Sequence, residues 1–232
     1  MALVQQAPDA PPRPGHFIAL EGGDGAGRST QVRMLLPWLE ELGWAPVHVG
    51  LGRSQLTRRA FRAYRRQAAV SGVHTLGLLY AADLTEQAER RVGPALAAGF
   101  VVIADRWSGT ALARCAVRGA RPSWLDTILP ASPRPGLTVH LHTPPGERLR
   151  RQVHAGGLPP PQEWGSDLAL GADALESFVR YQDLLDRELQ RRGREAGWQV
   201  LAGGGDPREV QRGLRSLVLT YLEERAPGEE RP

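Results

Sequence analysis

Near its start the chain has a short apolar strand that runs into a glycine-rich loop and then into a helix, and this order of elements limits the folds that it can adopt. Residues 16–20 read HFIAL, the loop reads EGGDGAGRS, and from Thr30 onward apolar residues recur at helical spacing. In this context Gly22, Gly25 and Gly27 let the backbone curl, so that successive N–H groups point inward as an anion nest. The helix adds its N-terminal dipole. The loop therefore predicts phosphate binding, and the alternative interpretation is a strand–helix turn without a ligand.

Position 28 departs from the usual pattern of such loops, which carry lysine there. All 29 of the Lys+Arg residues of this chain are arginines. Arg28 therefore has two interpretations, a general compositional bias or a pocket adapted to guanidinium, because arginine is longer and planar. We expect Arg28 to reach the terminal phosphates and Ser29 to hold a Mg²⁺ ion that bridges two of them. The predicted phosphate-binding residues are Gly22, Gly23, Gly25, Ala26, Gly27, Arg28, Ser29 and Thr30.

Four further apolar segments alternate with helical patterns, which predicts a parallel sheet covered on both faces. The predicted strands are 16–20, 44–49, 100–104, 137–141 and 197–201. The predicted helices are 30–42, 56–71, 76–98, 124–129, 147–154, 174–193 and 209–224. The fold class is therefore α/β, a three-layer α/β/α arrangement with a five-stranded parallel sheet.

One domain is expected over residues 15–224, between a flexible proline-rich tail (1–14) and a second flexible tail (225–232). The segment 155–171 is rich in glycine and proline, so we predict a small mobile lid over about 150–172. His140 and His142 alternate on a predicted strand, but no cysteine cluster accompanies them and their spacing fits no zinc site.

Composition and charge argue against several classes of protein. Hydrophobic residues make up 41% and charged residues 23%, an ordinary balance for a globular protein, and no apolar run approaches the length of a membrane span. A single cysteine, Cys115, and no signal pattern favour an untargeted, cytoplasmic protein. The net charge of +4 favours anionic ligands but is too small to indicate nucleic acid.

A second acidic position follows the strand FVVIA, which ends in Asp105-Arg106-Trp107. An aspartate at the carboxyl end of a buried parallel strand lies where such sheets bind ligands. Asp105 can hold Mg²⁺ through water, while Arg106 faces a substrate phosphate. Together with the loop, this pair predicts a phosphoryl-transfer site with Ser29 and Asp105 as its metal-binding residues.

Three stretches together resemble the thymidylate kinase family: HFIALEGGDGAGRSTQ, LLYAADLTEQAERRVGPALAAGFVVIADRW and VHLHTPPGERLRR. The resemblance implies a P-loop kinase that moves the terminal phosphoryl group of ATP onto dTMP with Mg²⁺, usually as a homodimer. It implies catalytic roles for Asp24, Arg28, Asp105, Arg106 and Arg151, the last at the start of the lid. It implies that the substrate is bound by Arg53, Tyr80, Arg106, Trp107, Arg114 and Tyr181, although Tyr181 can equally be a core residue.

Several positions depart from the family pattern. Leu84 stands where the family has an arginine, GLGRSQLTRR replaces the Arg-Glu-Pro-Gly-Gly segment, and Ala113-Arg114-Cys115 replaces Ala-Tyr-Gln. Arg53 in the replaced segment could still supply a phosphate contact. A Gly-Arg-Ser-Thr loop with Gly-Leu-Gly-Arg-Ser resembles a divergent branch of the family. Three interpretations stay open: a dTMP kinase, the same fold with another acceptor or donor such as polyphosphate, and a non-catalytic nucleotide-binding regulator.

Overall fold

The computed structural model describes residues 14–66, 72–129, 133–154, 156–157 and 159–225. Five strands lie within them: β1 (His16–Glu21), β2 (Pro46–Gly50), β3 (Val101–Asp105), β4 (Leu137–His142) and β5 (Gln199–Ala202). The helices are α1 (Arg28–Glu41), α2 (Arg58–Arg66), α3 (Val73–Gln87), α4 (Gly93–Ala97), α5 (Ser108–Val117), α6 (Pro122–Ile128), α7 (Pro145–His154), α8 (Pro161–Trp164), α9 (Ala174–Ala196) and α10 (Pro207–Glu223). Apart from Pro14 and Arg225, the two predicted tails lie outside the described residues.

The strands form one parallel sheet in the order β2-β3-β1-β4-β5. After β3 the chain crosses to the other side of β1, so the direction of winding reverses next to β1. In open parallel sheets ligands bind outside the carboxyl ends of the strands at such a reversal. The glycine loop follows β1 directly and Arg106 follows β3 directly, so both lie at this edge.

Alternate residues of each central strand face opposite layers, which confirms the predicted three-layer fold. Phe17 and Ala19 of β1 pack with the side that carries α2, α3 and α5. Ile18 and Leu20 pack with α1 and α10 on the other side. All six residues of β1 and all five of β3 are buried. Burial of both faces is the reason that these strands read as continuous apolar runs.

The predicted helix over 76–98 is wrong in its centre. Helix α3 ends at Gln87, a π-helical turn occupies Ala88–Val92, and α4 follows. Pro94 has no N–H to continue the α-helical ladder, and the Gly93 N–H bonds Ala88 O, one residue further back than in an α-helix. Helix α2 begins two residues later than predicted, and its predicted end at 67–71 lies outside the described residues.

Helix α5 and the short helix α8 were not among the helical stretches predicted from periodicity. Helix α8 lies inside the segment predicted as a lid. Among the described residues, no helix combines the length and the apolar character needed to cross a membrane.

Candidate active site

A cleft of about 750 Å³ opens at the carboxyl ends of β1 and β3, a size that suits small-molecule ligands. Nine predicted site residues contribute to its walls, namely Asp24, Gly25, Arg28, Ser29, Arg53, Tyr80, Asp105, Arg106 and Arg114. Arg58, Arg62, Arg91, Gln152, Gln162 and Glu163 also line it. The structure therefore brings the glycine loop, the Asp105-Arg106 pair and part of the predicted lid to one place.

The backbone of the glycine loop has the curvature that the sequence predicts. Gly22, Gly25 and Gly27 have φ values of 147°, 78° and 97°, which side chains with a Cβ rarely adopt. Within the described residues, the N–H groups of Gly25, Gly27, Arg28 and Ser29 have no protein acceptor. These free donors at the start of α1 form the anion nest.

Arg28 is buried and makes three hydrogen bonds at the base of the nest. Its Nη1 donates to the carbonyl oxygens of Gly22, at 2.6 Å, and Gly23, and its Nε donates to Asp105 Oδ1 at 3.2 Å. Burial lowers the pKa of Arg28 to about 10, so the guanidinium stays charged at neutral pH. One side chain thus joins the loop after β1 to the end of β3, and it does so with two different donor atoms.

Ser29 and Asp105 place a hydroxyl and a carboxylate together beside the nest. The Ser29 Oγ donates to Asp105 Oδ2 at 2.5 Å. Burial alone would raise the pKa of Asp105, but Arg28, the Ser29 hydrogen bond and other nearby arginines lower it. Asp105 is therefore ionised at neutral pH. An ionised carboxylate and a hydroxyl oxygen are ligands that Mg²⁺ accepts, so these residues fit the predicted metal site.

Asp24 is a buried anion held by two arginines. Arg106 Nη2 donates to its Oδ1 at 2.5 Å, and Arg114 Nη2 donates to Oδ1 and Oδ2 at 2.8 and 3.0 Å. Burial would raise the pKa of Asp24, but Arg106 and Arg114 hold it far below its usual range. Arg106 has φ 68°, a conformation that costs a non-glycine residue free energy. Its strained backbone lies at the point where its side chain enters the cleft, as is common at functional sites.

An aromatic wall bounds the other side of the cleft. Tyr80 is buried and stacks on Phe61 with ring centroids 5.5 Å apart and an angle of 30° between the rings. Arg114 Nη1 donates to the Tyr80 hydroxyl at 3.3 Å. Phe61 and Tyr64 of α2 line the cleft with Tyr80. The wall therefore places three mostly buried aromatic side chains beside the arginines of the cleft.

Two of the predicted site residues, Arg151 and Trp107, lie away from the cleft. Arg151 pairs with Glu147 at 2.5 Å and donates to Gly203 O at 3.1 Å, because its position on α7 faces the loop after β5. Trp107 is fully buried against Phe17 in the core. Their positions do not support direct contact with a substrate in the cleft.

Tyr181 is also buried, which agrees with its interpretation as a core residue. Its hydroxyl accepts a hydrogen bond from Arg118 Nη1 at 2.8 Å. Arg118 also donates to both carboxylate oxygens of Asp167, in the predicted lid. Tyr181 therefore supports the lid segment through Arg118. Thr30, predicted to bind phosphate, lies further along α1, where its hydroxyl accepts from Arg33 at 3.4 Å.

Sequence reasoning missed Arg148 and Gln182, which lie directly behind the glycine loop. Arg148 is fully buried and pairs with Asp186 at 2.5 Å. A Cβ on Gly23 would lie 1.4 Å from Arg148 Nη1, so this position requires glycine for close approach. Gln182 accepts from Asp24 N at 2.9 Å and from Arg148 Nη1 at 2.7 Å. Helical periodicity identifies neither residue as a site residue, since their partners are distant in sequence.

Gln182 also connects the loop to the predicted lid. Its Nε2 donates to Asp24 Oδ2 at 2.8 Å and to Glu163 O at 2.7 Å. Glu163 lines the cleft, and burial and the nearby Asp24 raise the pKa of its carboxyl group. The segment that carries Glu163 therefore lies against the glycine loop, as a lid over the cleft requires.

His140, His142 and Asp186 form a cluster that the sequence could not reveal, with ligand atoms within 4.8 Å of one another. Asp186 is already paired with Arg148. His140 is buried, and its ring nitrogens have no hydrogen-bond partner among the described residues. Burial lowers the pKa of His140 to about 4, so it is neutral at physiological pH.

Comparisons with known proteins agree with this geometry. A family model described as thymidylate kinase matches residues 20–157. The chain is 37% identical to a thymidylate kinase of Parasynechococcus marenigrum, over 90% of this chain and 99% of that protein. It is 28% identical to a probable thymidylate kinase 2 of Saccharolobus solfataricus, over 90% and 98%. A probable thymidylate kinase of Pyrococcus abyssi is 35% identical over 62% of this chain and 73% of its own length.

The match spans the glycine loop, the aromatic wall and the Asp105-Arg106 pair, which are the parts that form the cleft. The family match and the near full-length similarity come from separate comparisons and agree. The protein therefore belongs to the thymidylate kinase family and is a nucleoside monophosphate kinase.

Proposed function

We propose that the protein transfers the terminal phosphoryl group of ATP to dTMP in the presence of Mg²⁺. The observation that carries the proposal is the cleft, in which free loop N–H groups and the Ser29–Asp105 pair face arginines and an aromatic wall. A donor triphosphate would bind at the loop, and a nucleotide acceptor would bind between Arg53, Arg106 and Tyr80. The names of the similar proteins support dTMP as the acceptor.

The charge of the cleft matches this pair of substrates. Among the side chains that the structure describes, seven arginines and three carboxylates line it, an excess of four positive charges when Glu163 is ionised. A nucleoside monophosphate and a magnesium-bound ATP each carry a charge of about −2 at neutral pH. The charge of the cleft would therefore balance that of both substrates together.

Each residue has a role that follows from its chemistry. The loop N–H groups and Arg28 would hold the donor phosphates, and Arg106 and Arg53 would hold the acceptor phosphate in line with them. Bound Mg²⁺, held by Ser29 and Asp105, would neutralise charge on the transferred group. The acceptor phosphate is already a nucleophilic anion, so no general base is required.

Asp24 would fix the arginines on the acceptor side before the substrate arrives. Because its carboxylate accepts hydrogen bonds from Arg106, Arg114 and Gln182, the two guanidinium groups have defined positions. Such preorganised charges stabilise a transition state without further reorganisation. The lid segment around Glu163 would exclude water, which otherwise competes as the acceptor.

The test is a panel of acceptors. The purified protein is incubated with Mg²⁺, ATP and each nucleoside monophosphate in turn, and the products are separated by chromatography. We expect diphosphate from dTMP at the highest kcat/KM. The Arg106→Ala variant, prepared in the same way, measures any contaminating kinase.

Other outcomes distinguish the alternatives. Preferential transfer to another nucleotide would support a kinase but refute dTMP as its acceptor. Transfer from polyphosphate in place of ATP would refute ATP as the donor. ATP binding with no transfer to any acceptor would support a nucleotide-binding regulator. The homodimer implied by the resemblance stays a prediction, and light scattering of the purified protein checks it.

A further inference from the structure

The loop after β2 replaces a segment that is usual in the family, and it is tightly docked. We name residues 50–57 the arginine loop, because they carry Arg53. Gly50 has φ 154°, and a Cβ there would lie 2.4 Å from Asp105 O. Leu51 N donates to Arg106 O at 3.2 Å. The arginine loop therefore lies directly against the turn that presents Asp105 and Arg106.

One fully buried carboxylate organises the arginine loop. Asp83 of α3 accepts hydrogen bonds from Gly52 N at 2.7 Å, from Ser54 N at 3.1 Å and from Thr57 Oγ1 at 2.6 Å. Gln87 Nε2 donates to it at 3.1 Å. Among the described residues no arginine or histidine forms a salt bridge with Asp83. Its two carboxyl oxygens therefore hold main-chain and hydroxyl donors of the loop.

Gln87, one turn further along α3, holds the start of the same loop. Its Oε1 accepts from Gly50 N at 3.1 Å, and its Nε2 donates to Gly50 O at 2.9 Å. Gln87 is fully buried. The two side chains thus fix both ends of the loop, and such fully satisfied buried polar networks impose one conformation.

Arg53 is the residue that this network leaves available. It lines the cleft, its side chain is 43% exposed, and its Nη2 lies 3.8 Å from Asp105 Oδ2, a loose contact. By contrast, Arg28, Arg106 and Arg114 are committed to carboxylates at 2.5–3.2 Å. Arg53 can therefore turn to an incoming phosphate at little cost, provided that the loop beneath it is rigid.

We propose that Asp83, supported by Gln87, is a positioning residue that holds the arginine loop so that Arg53 contacts the acceptor phosphate. The arginine loop, which stands in the place of the usual Arg-Glu-Pro-Gly-Gly segment, thus presents an arginine through contacts with Asp83 and Gln87. This inference rests on the proposed kinase reaction and adds a residue that acts only through Arg53. Removal of Asp83 should therefore weaken acceptor binding and not donor binding, since among the described residues neither Asp83 nor Arg53 forms a hydrogen bond with the glycine loop that would hold the donor.

A double-mutant cycle tests this coupling. Arg53→Ala, Asp83→Asn and the double variant are assayed with dTMP varied at saturating ATP, and then with ATP varied. We expect each single variant to raise the KM for dTMP about tenfold, and the double variant to match Arg53→Ala. The kcat and the KM for ATP should stay within about twofold of wild type. Glu89→Gln, which removes an exposed carboxylate from the segment after α3, is the control and should change nothing.

If Asp83→Asn does not fold, Thr57→Val provides a second, milder variant that removes one hydrogen-bond donor to Asp83. It should raise the KM for dTMP only when Arg53 is present. Independent, multiplied effects of the Asp83 and Arg53 variants would overturn the inference, as would an unchanged KM in Thr57→Val. An unchanged KM in Arg53→Ala would instead remove Arg53 from the acceptor site, while dTDP formation itself would still test the proposed function separately.

Discussion

The Arg28→Lys variant tests whether Arg28 reflects the general use of arginine in this chain or a pocket adapted to a guanidinium group. The structure predicts an adapted pocket. Arg28 uses Nη1 for the carbonyl oxygens of Gly22 and Gly23 and Nε for Asp105. A lysine ammonium is a single point charge, so it cannot occupy both donor positions. At least one of the three hydrogen bonds made by this charged side chain is therefore lost.

The magnitude follows from that loss. A hydrogen bond that involves a charged group contributes about 1.5–3 kcal/mol. The lower figure corresponds to a rate factor of about ten, and it applies here because Ser29 still donates to Asp105. We therefore expect kcat/KM for ATP to fall about tenfold in Arg28→Lys. Either Asp105 or a carbonyl oxygen of the loop also loses a buried partner, so the variant should unfold at a lower temperature.

The assay is steady-state kinetics with ATP varied, with thermal unfolding measured on the same preparations. Arg33→Lys is the matched control, because Arg33 lies on the same helix, is exposed, and contacts only Thr30 Oγ1 at 3.4 Å among the described residues. It should behave as wild type. Equal or higher activity in Arg28→Lys would refute the argument and leave compositional bias as the explanation.

Three further predictions concern the same region. Arg106→Ala should abolish phosphoryl transfer while ATP binding persists, and an equal loss of ATP binding would contradict the role of Arg106 at the acceptor. Arg106→Gly should be equally inactive but about 1 kcal/mol more stable than Arg106→Ala, because glycine tolerates the φ of 68°. His140 has a folded pKa of about 4, below the unfolded value of 6.5, so its contribution to stability is complete above pH 6.5 and is lost as pH falls toward 4. Urea unfolding of wild type and His140→Gln over this pH range should differ in their pH dependence by about 3 kcal/mol, whereas exposed His154→Gln should keep the pH dependence of the wild type. Gly23→Ala should reduce the free energy of unfolding by about 3 kcal/mol, since its Cβ displaces a buried guanidinium; an unchanged unfolding curve would disprove the close approach.

Local sequence patterns were sufficient to predict the strands and the curvature of the glycine loop. The strands were predicted within two residues at each end. For β1 and β3 the reason is that burial of both faces produces continuous apolar runs. The three glycines predicted to curl the loop all have positive φ. The break at Ala88–Val92 was missed, although Pro94 is the local signal that explains it.

Which buried polar side chains pair with one another could not be predicted from local sequence patterns. Nothing in the helical spacing of GERLRRQ separates Arg148, which is buried behind the loop, from Arg151, which faces the loop after β5. Likewise Asp83 and Gln87 occupy i and i+4 of a helix, but their partners come from a loop about 30 residues earlier. Which acid meets which arginine depends on the packing of distant elements.

The cleft uses its arginines in two different ways, and the difference explains how a lysine-free kinase site can work. Arg28, Arg106 and Arg114 each use the planar fork of guanidinium to bind a protein oxygen while they line the cleft. Their positions are therefore set before a substrate binds, which favours transition-state stabilisation over flexible capture. Arg53 is held loosely by its side chain and rigidly by its loop. A fixed set that holds the reacting phosphates in place and an adjustable Arg53 that adds affinity for the acceptor would divide rate from affinity. Variants of the fixed set should therefore lower kcat, and variants of the arginine loop should raise KM.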